Sequence, residues 1–135
     1  MEYSGYKRRI STVLWVCVNA VILVLSLIPM GQVVQHVSFN DKIAHGIAYA
    51  VLGFVTYGFI VYHELFQSRS VFFLISSALF YCWFVGGGIE LIQPFVGRSR
   101  DVFDFLFDIL GSSVGIFGAY WVMRRALDTH FYRKQ

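Results

Sequence analysis

Residues 10–30 read ISTVLWVCVNAVILVLSLIPM, a run of twenty-one positions with no charged side chain. A helix needs about 20 apolar residues to cross the hydrocarbon core of a bilayer. The interval without Asp, Glu, Lys or Arg extends from Ile10 to Asn40. Three more apolar runs follow. Ile43–Tyr62 holds His45 as its one group ionisable near neutral pH, and Val71–Ile89 is uncharged up to Glu90. The fourth, Phe103–Met123, carries Asp104 and Asp108 near its start. The expected fold is all-α: a polytopic membrane protein forming a four-transmembrane-helix bundle, with helices at about 10–30, 43–62, 71–92 and 103–123.

Composition agrees. Only 14% of the 135 residues are charged, against about 25% in soluble domains, and 57% are hydrophobic. Mean hydropathy is +0.62. A soluble chain of this length has no core large enough to bury so much apolar surface. The length fits one domain, without linkers, low-complexity tracts or internal repeats. The first run is expected to be a retained helix. It exceeds the 7–15 residues of a signal-peptide core, and no small-residue cleavage site follows Pro29. Cys17 and Cys82 lie inside apolar runs and read as free thiols packed as small hydrophobes. No CxxC pair or Cys/His cluster suggests zinc.

Loop charge gives the expected orientation. Lys7, Arg8, Arg9, Arg69, Arg124, Arg125, Arg133 and Lys134 fall on one side of four spans, eight of the eleven basic residues. The other side holds Lys42, Arg98 and Arg100. The richer side is cytoplasmic by the positive-inside rule, so both termini are expected inside. Against Glu2, Glu64 and Asp128 the inner face carries +5. That basicity anchors topology beside anionic lipid, and nucleic acid is not an expected partner. Tyr3, Tyr6, Trp121, Phe131 and Tyr132 suit the same interface.

The polar residues concentrate at the opposite end. Residues 89–108 read IELIQPFVGRSRDVFDFLFD, with Glu90, Arg98, Arg100, Asp101, Asp104 and Asp108 among them. Asn40 or Asp41 should cap the second helix. Asp41, His45 and Tyr49 then fall on one stripe, continued by Thr56. Glu90 and Gln93 share a face of the third helix. Asp101, Asp104, Asp108, Gly111 and Gly115 follow at steps of three or four, so the acidic face of the fourth helix is also its close-packing face. Gly46 and Gly53 mark a similar face on the second. An acid at mid-bilayer costs about 2.5–3.5 kcal/mol on insertion scales, so these carboxylates should point into the bundle. Gly86, Gly87 and Gly88, just before Glu90, should loosen or kink the third helix. Arg98 and Arg100 could neutralise Asp101 and Asp104, while Lys42 and Asp101 read as solvated surface.

The ordered set DKIAH (41–45), IELIQ (89–93) and GRSRDVFDFLFDILG (97–111) resembles the VanZ-like membrane protein family, named for a teicoplanin-resistance accessory protein. Asp41, His45, Glu90, Gln93, Arg98, Asp104, Gly111 and Gly115 carry the match, over roughly residues 38–118. Asp108 departs from it, standing where members often carry Asn. The resemblance implies a bacterial cytoplasmic membrane, a site at the outer face, and a link to antibiotic resistance.

Three functions fit these residues. An outward polar pocket could recognise the head group of an envelope lipid or lipoglycopeptide, with Asp41, Tyr49, Gln93, Arg98, Asp104 and Asp108 binding it. An intramembrane hydrolase or transferase could use His45, oriented by Asp41, and Glu90 as catalytic acid–base groups. A metal-assisted version would draw on His45, Glu90, Asp104 and Asp108. No strong catalytic motif is present, and the sequence leaves the cofactor and any metal dependence open. A transporter would need more than four spans or an oligomer.

Overall fold

The computed structural model describes residues 2–28, 39–63, 66, 69–98 and 100–132, and side chains at 5–28, 42–63, 66, 69–98 and 100–125. Four α-helices account for most of them: α1 (Glu2–Leu27), α2 (Phe39–Tyr62), α3 (Val71–Ile92) and α4 (Val102–Tyr132). The chain has four stretches long and apolar enough to cross a membrane: Gly5–Leu27, Lys42–Tyr62, Val71–Val96, which runs on from α3 into the 3-10 turn after it, and Val102–Arg125. The chain is built as an all-α, multi-pass membrane bundle. Phe72, Phe80, Phe84, Leu110, Val114 and Phe117 project outward, an apolar belt suited to lipid.

Local chemistry sets the helix ends. Ser70 caps α3, its hydroxyl accepting from the Phe73 N–H at 3.3 Å. After Ile92 the chain tightens into a 3-10 turn, Gln93–Val96, helped by Pro94. Gly97 stops it with φ at 78°, a left-handed conformation that favours glycine. Asp101 then caps α4, its Oδ1 accepting from the Phe103 N–H at 2.8 Å.

α2 and α4 form the central pair, held by small residues. A Cβ at Gly111 would collide with the Gly46 carbonyl, one at Gly115 with the Ala50 carbonyl, and one at Gly53 with the Ser112 carbonyl. Backbone therefore rests on backbone. Leu52, Thr56, Ile116 and Ala119 are buried along this pair, and α3 adds Leu74, Ala78, Cys82 and Ile89 to the core. α1 is peripheral: Trp15 stacks on Phe59 of α2 at 4.7 Å, and Asn19 accepts from the Tyr81 hydroxyl of α3 at 2.6 Å.

Some boundaries differ from the sequence reading. α1 begins at Glu2 and α4 continues to Tyr132, because both helices run past the apolar core into their basic flanks. α2 begins at Phe39, so Asn40 and Asp41 lie in its first turn instead of capping it. The glycines at 86–88 do not break α3. Gly86 is buried where a Cβ would meet Asp108 Oδ2 and Tyr49 Cε1, each at 3.2 Å. Packing from both neighbours offsets the glycine's weak helix propensity.

The α2–α4 contact makes a prediction. Gly115→Val should destabilise the detergent-solubilised protein by about 1–3 kcal/mol or more, since the obstacle is backbone. Gly118 has nothing within 4 Å of its Cβ position, so Gly118→Ala should not destabilise the protein and should gain up to about 1 kcal/mol of helix propensity. Thermal melts followed by circular dichroism compare the two.

Candidate functional site

At the end of the bundle away from Lys7 and Arg124, α2, α3 and α4 bring their charged residues together. The first turns of α2 supply Lys42, His45 and Tyr49, the last turn of α3 supplies Glu90, and the start of α4 supplies Asp101, Asp104 and Asp108. Spacings of three and four residues put each set on one helix face. The tight α2–α4 crossing then closes the gap between the faces.

Lys42 is clamped by two acids of α4. Its Nζ lies 2.5 Å from Asp101 Oδ2 and 3.2 Å from Asp104 Oδ1, with the Phe103 ring 5.3 Å away. The lysine side chain is only 15% exposed. One turn deeper, His45 sits between two carboxylates. Its Nδ1 is 3.0 Å from Asp108 Oδ1 and its Nε2 is 3.9 Å from Asp104 Oδ2. Asp108 is 2% exposed. Such burial is tolerable for a carboxylate only with a close partner, which the histidine provides.

Glu90 joins from α3. Its Oε2 accepts from the Asp101 N–H at 3.3 Å, while its buried Oε1 has no hydrogen-bond partner among the described residues. The buried Tyr49 hydroxyl also lacks one. That hydroxyl and Asp108 Oδ2 both border the space above Gly86, 3.3 and 3.2 Å from its Cβ position. Four carboxylates thus face one lysine and one histidine. A cation or hydrogen-bond donor from outside the chain would complement that excess. Outside the spans, the Lys42 hydrogen bond holds the Asp101 carboxyl below the usual aspartate range.

The expected residues are distributed as follows. His45, Glu90, Asp104 and Asp108 converge, with Tyr49 beside them. Gln93 is buried at the head of the 3-10 turn, where its carbonyl accepts from the Arg98 N–H at 3.1 Å. The Asp41 side chain lies outside the described residues; the acids described against His45 are Asp104 and Asp108 of α4. Arg98 does not neutralise Asp101 or Asp104. Its Nη1 donates to the Leu25 carbonyl at 3.2 Å, one of the carbonyls left open at the end of α1. Lys42 takes the neutralising role and is not solvated surface. A signal for it existed, since Lys42, His45 and Tyr49 fall at i, i+3 and i+7. Among the described residues, no group of three His, Cys, Asp or Glu side chains could hold a metal ion. The metal-assisted set therefore lacks its geometry. Two cavities along the bundle are apolar and lie elsewhere, beside Lys7 and Tyr62 and beside Ala50 and Gly115.

Asp101 provides a pH test. Its lowered folded-state pKa contributes stability that is present above the ordinary aspartate value of about 3.9. That contribution is lost as pH falls through the folded value. Asp101→Asn should therefore melt below the wild type at neutral pH, with the difference shrinking below about pH 4. Asn can still cap α4. Asp101→Ala should lose about 1 kcal/mol more at every pH for the missing cap. Melts from pH 3 to 7 separate charge from cap.

Comparison of the chain with protein-family models, curated proteins and solved structures gives no match.

Proposed function

We propose that the chain is a VanZ-like membrane protein whose polar end faces away from the cytoplasm and recognises the head group of an envelope lipid or lipoglycopeptide. Glu90 carries the reading. It is buried, anchored through one carboxylate oxygen, and its other oxygen meets no described partner. A buried acceptor left unsatisfied costs about 1–3 kcal/mol, more when charged. The Tyr49 hydroxyl stands in the same condition. An ammonium or sugar hydroxyl entering from the outer face would serve both, and the acidic excess favours it. Arg98 gives one N–H to Leu25. The guanidinium's remaining donors suit a phosphate or carboxylate at the rim. The family reading draws support from the convergence of His45, Glu90 and Asp104, which lie in separate motifs along the chain. The outward orientation rests on the basic inner face, and a bacterial cytoplasmic membrane follows from both.

A second reading has its own observation. His45 has a carboxylate near each ring nitrogen, an arrangement suited to acid–base catalysis. Under that reading His45→Gln abolishes turnover of an envelope-lipid substrate while binding persists.

Two experiments bear on the proposal. Glu90→Gln and Arg98→Ala should insert and melt like the wild type yet lose the protection against teicoplanin that expression confers. If both variants misassemble instead, the cluster is structural and the binding reading fails. For orientation, single cysteines at Arg69 and Arg100 can be introduced after replacing Cys17 and Cys82. An impermeant maleimide should label position 100 in cells whose cytoplasmic membrane is intact, and position 69 only after lysis.

A further inference from the structure

Trp15 and Asn19 hold α1 toward Phe59 and Tyr81, on the side of the bundle facing α3. α1 and α4 consequently flank α2 with little contact between them. A furrow of about 200 Å³ remains there. Phe54, Val55 and Gly58 of α2 form its floor, and Ile10 and Leu14 of α1 and Met123 of α4 form its walls. Gly58 deepens the floor, since a Cβ there would come within 3.0 Å of the Met123 methyl. Ser11, the small polar residue in the lining, gives its hydroxyl to the Arg8 carbonyl at 2.9 Å. The furrow is therefore apolar along its length and exposed at the bundle's flank, where lipid chains lie.

Its mouth is different. Lys7 and Tyr62 stand there, the Lys7 Nζ 5.7 Å from the ring centroid. Arg8, Arg124 and Arg125 belong to the same end of the bundle. By sequence this end holds eight basic residues against Glu2, Glu64 and Asp128, a net charge of +5. An apolar trough ending in positive charge at membrane depth is complementary to one molecule class: an acyl chain bearing an anionic head group.

We infer that the α1–α4 furrow binds one anionic phospholipid of the basic-side leaflet, its acyl chain against Gly58 and Leu14 and its phosphate at Lys7. The site is independent of the polar cluster at the other end. It would fill the gap between α1 and the central pair and fix α1, the least buried helix, in place.

Native mass spectrometry of the full chain in detergent tests this with dioleoyl phosphatidylglycerol and dioleoyl phosphatidylcholine, which share acyl chains. The wild type should retain one phosphatidylglycerol, with roughly five-fold preference over phosphatidylcholine, the order expected for one basic residue at the membrane surface. Lys7→Gln should abolish the preference. Arg9→Gln, outside the furrow lining, should keep it. Leu14→Trp should remove the retained lipid of either kind by filling the trough, and Ile10→Phe does the same should Leu14→Trp fail to fold. Glycerol phosphate, which lacks acyl chains, should not displace the lipid. Equal retention of both lipids, a preference surviving Lys7→Gln, retention unchanged by a filled trough, or displacement by glycerol phosphate would each overturn the inference.

Discussion

Where α2 crosses α4, backbone meets backbone. Gly111 lies on the Gly46 carbonyl, Gly115 on the Ala50 carbonyl, and Gly53 on that of Ser112. In a bilayer the lipid tails are as apolar as leucine, so little hydrophobic force drives two helices together. Close van der Waals packing of small residues takes its place. Because both backbones come so near, the polar residues within two turns of Gly111 and one turn of Gly46 are forced into contact. Those residues are Asp108, Asp104, His45 and Lys42, and the ion pairs of the polar end follow from the approach.

The same closeness settles how the acids tolerate the membrane. Asp108 is nearly inaccessible and meets His45 across the crossing. Asp104 is shared by the histidine and the lysine. Asp101 closes the top, capping α4 through one oxygen and holding Lys42 through the other, while its own N–H supports Glu90. Each link crosses between helices or ends one, so the network also pins three helix ends together. Buried pairs of this kind contribute less to net stability than their Coulomb attraction suggests, because desolvation opposes it. Breaking one partner is costly, so the network enforces geometry more than it adds free energy.

α3 and α1 play unequal parts. α3 contributes Glu90 and, through Gly86, the space that Tyr49 and Asp108 occupy. Of its glycine triplet, Gly86 is the one packed tightly against neighbours. α1 contributes no group to the cluster, though Arg98 ties the rim to the last turn of α1. Its contacts are aromatic and one-sided, which leaves the bundle open toward α4 at the basic end. The molecule therefore has an acidic, interlocked end and a basic, looser one.

Much of this was legible in the chain. Four apolar runs of spanning length dictate four helices, because an unpaired peptide group in hydrocarbon leaves few alternatives. The step of three or four between Asp104, Asp108, Gly111 and Gly115 dictates that acids and glycines share a face. Hydropathy carries no information on which basic residue answers which acid. Arg98 is nearer in sequence to Asp101 and Asp104 than Lys42 is, yet the turn at Gly97 directs it to α1 while Lys42 reaches both acids from α2. Nor could Gly86 be read as a packing residue without its neighbours. Periodicity along one helix fixes which residues lie together on that helix. Which face of another helix they meet depends on side-chain volume summed over every contact, and only the assembled bundle decides that.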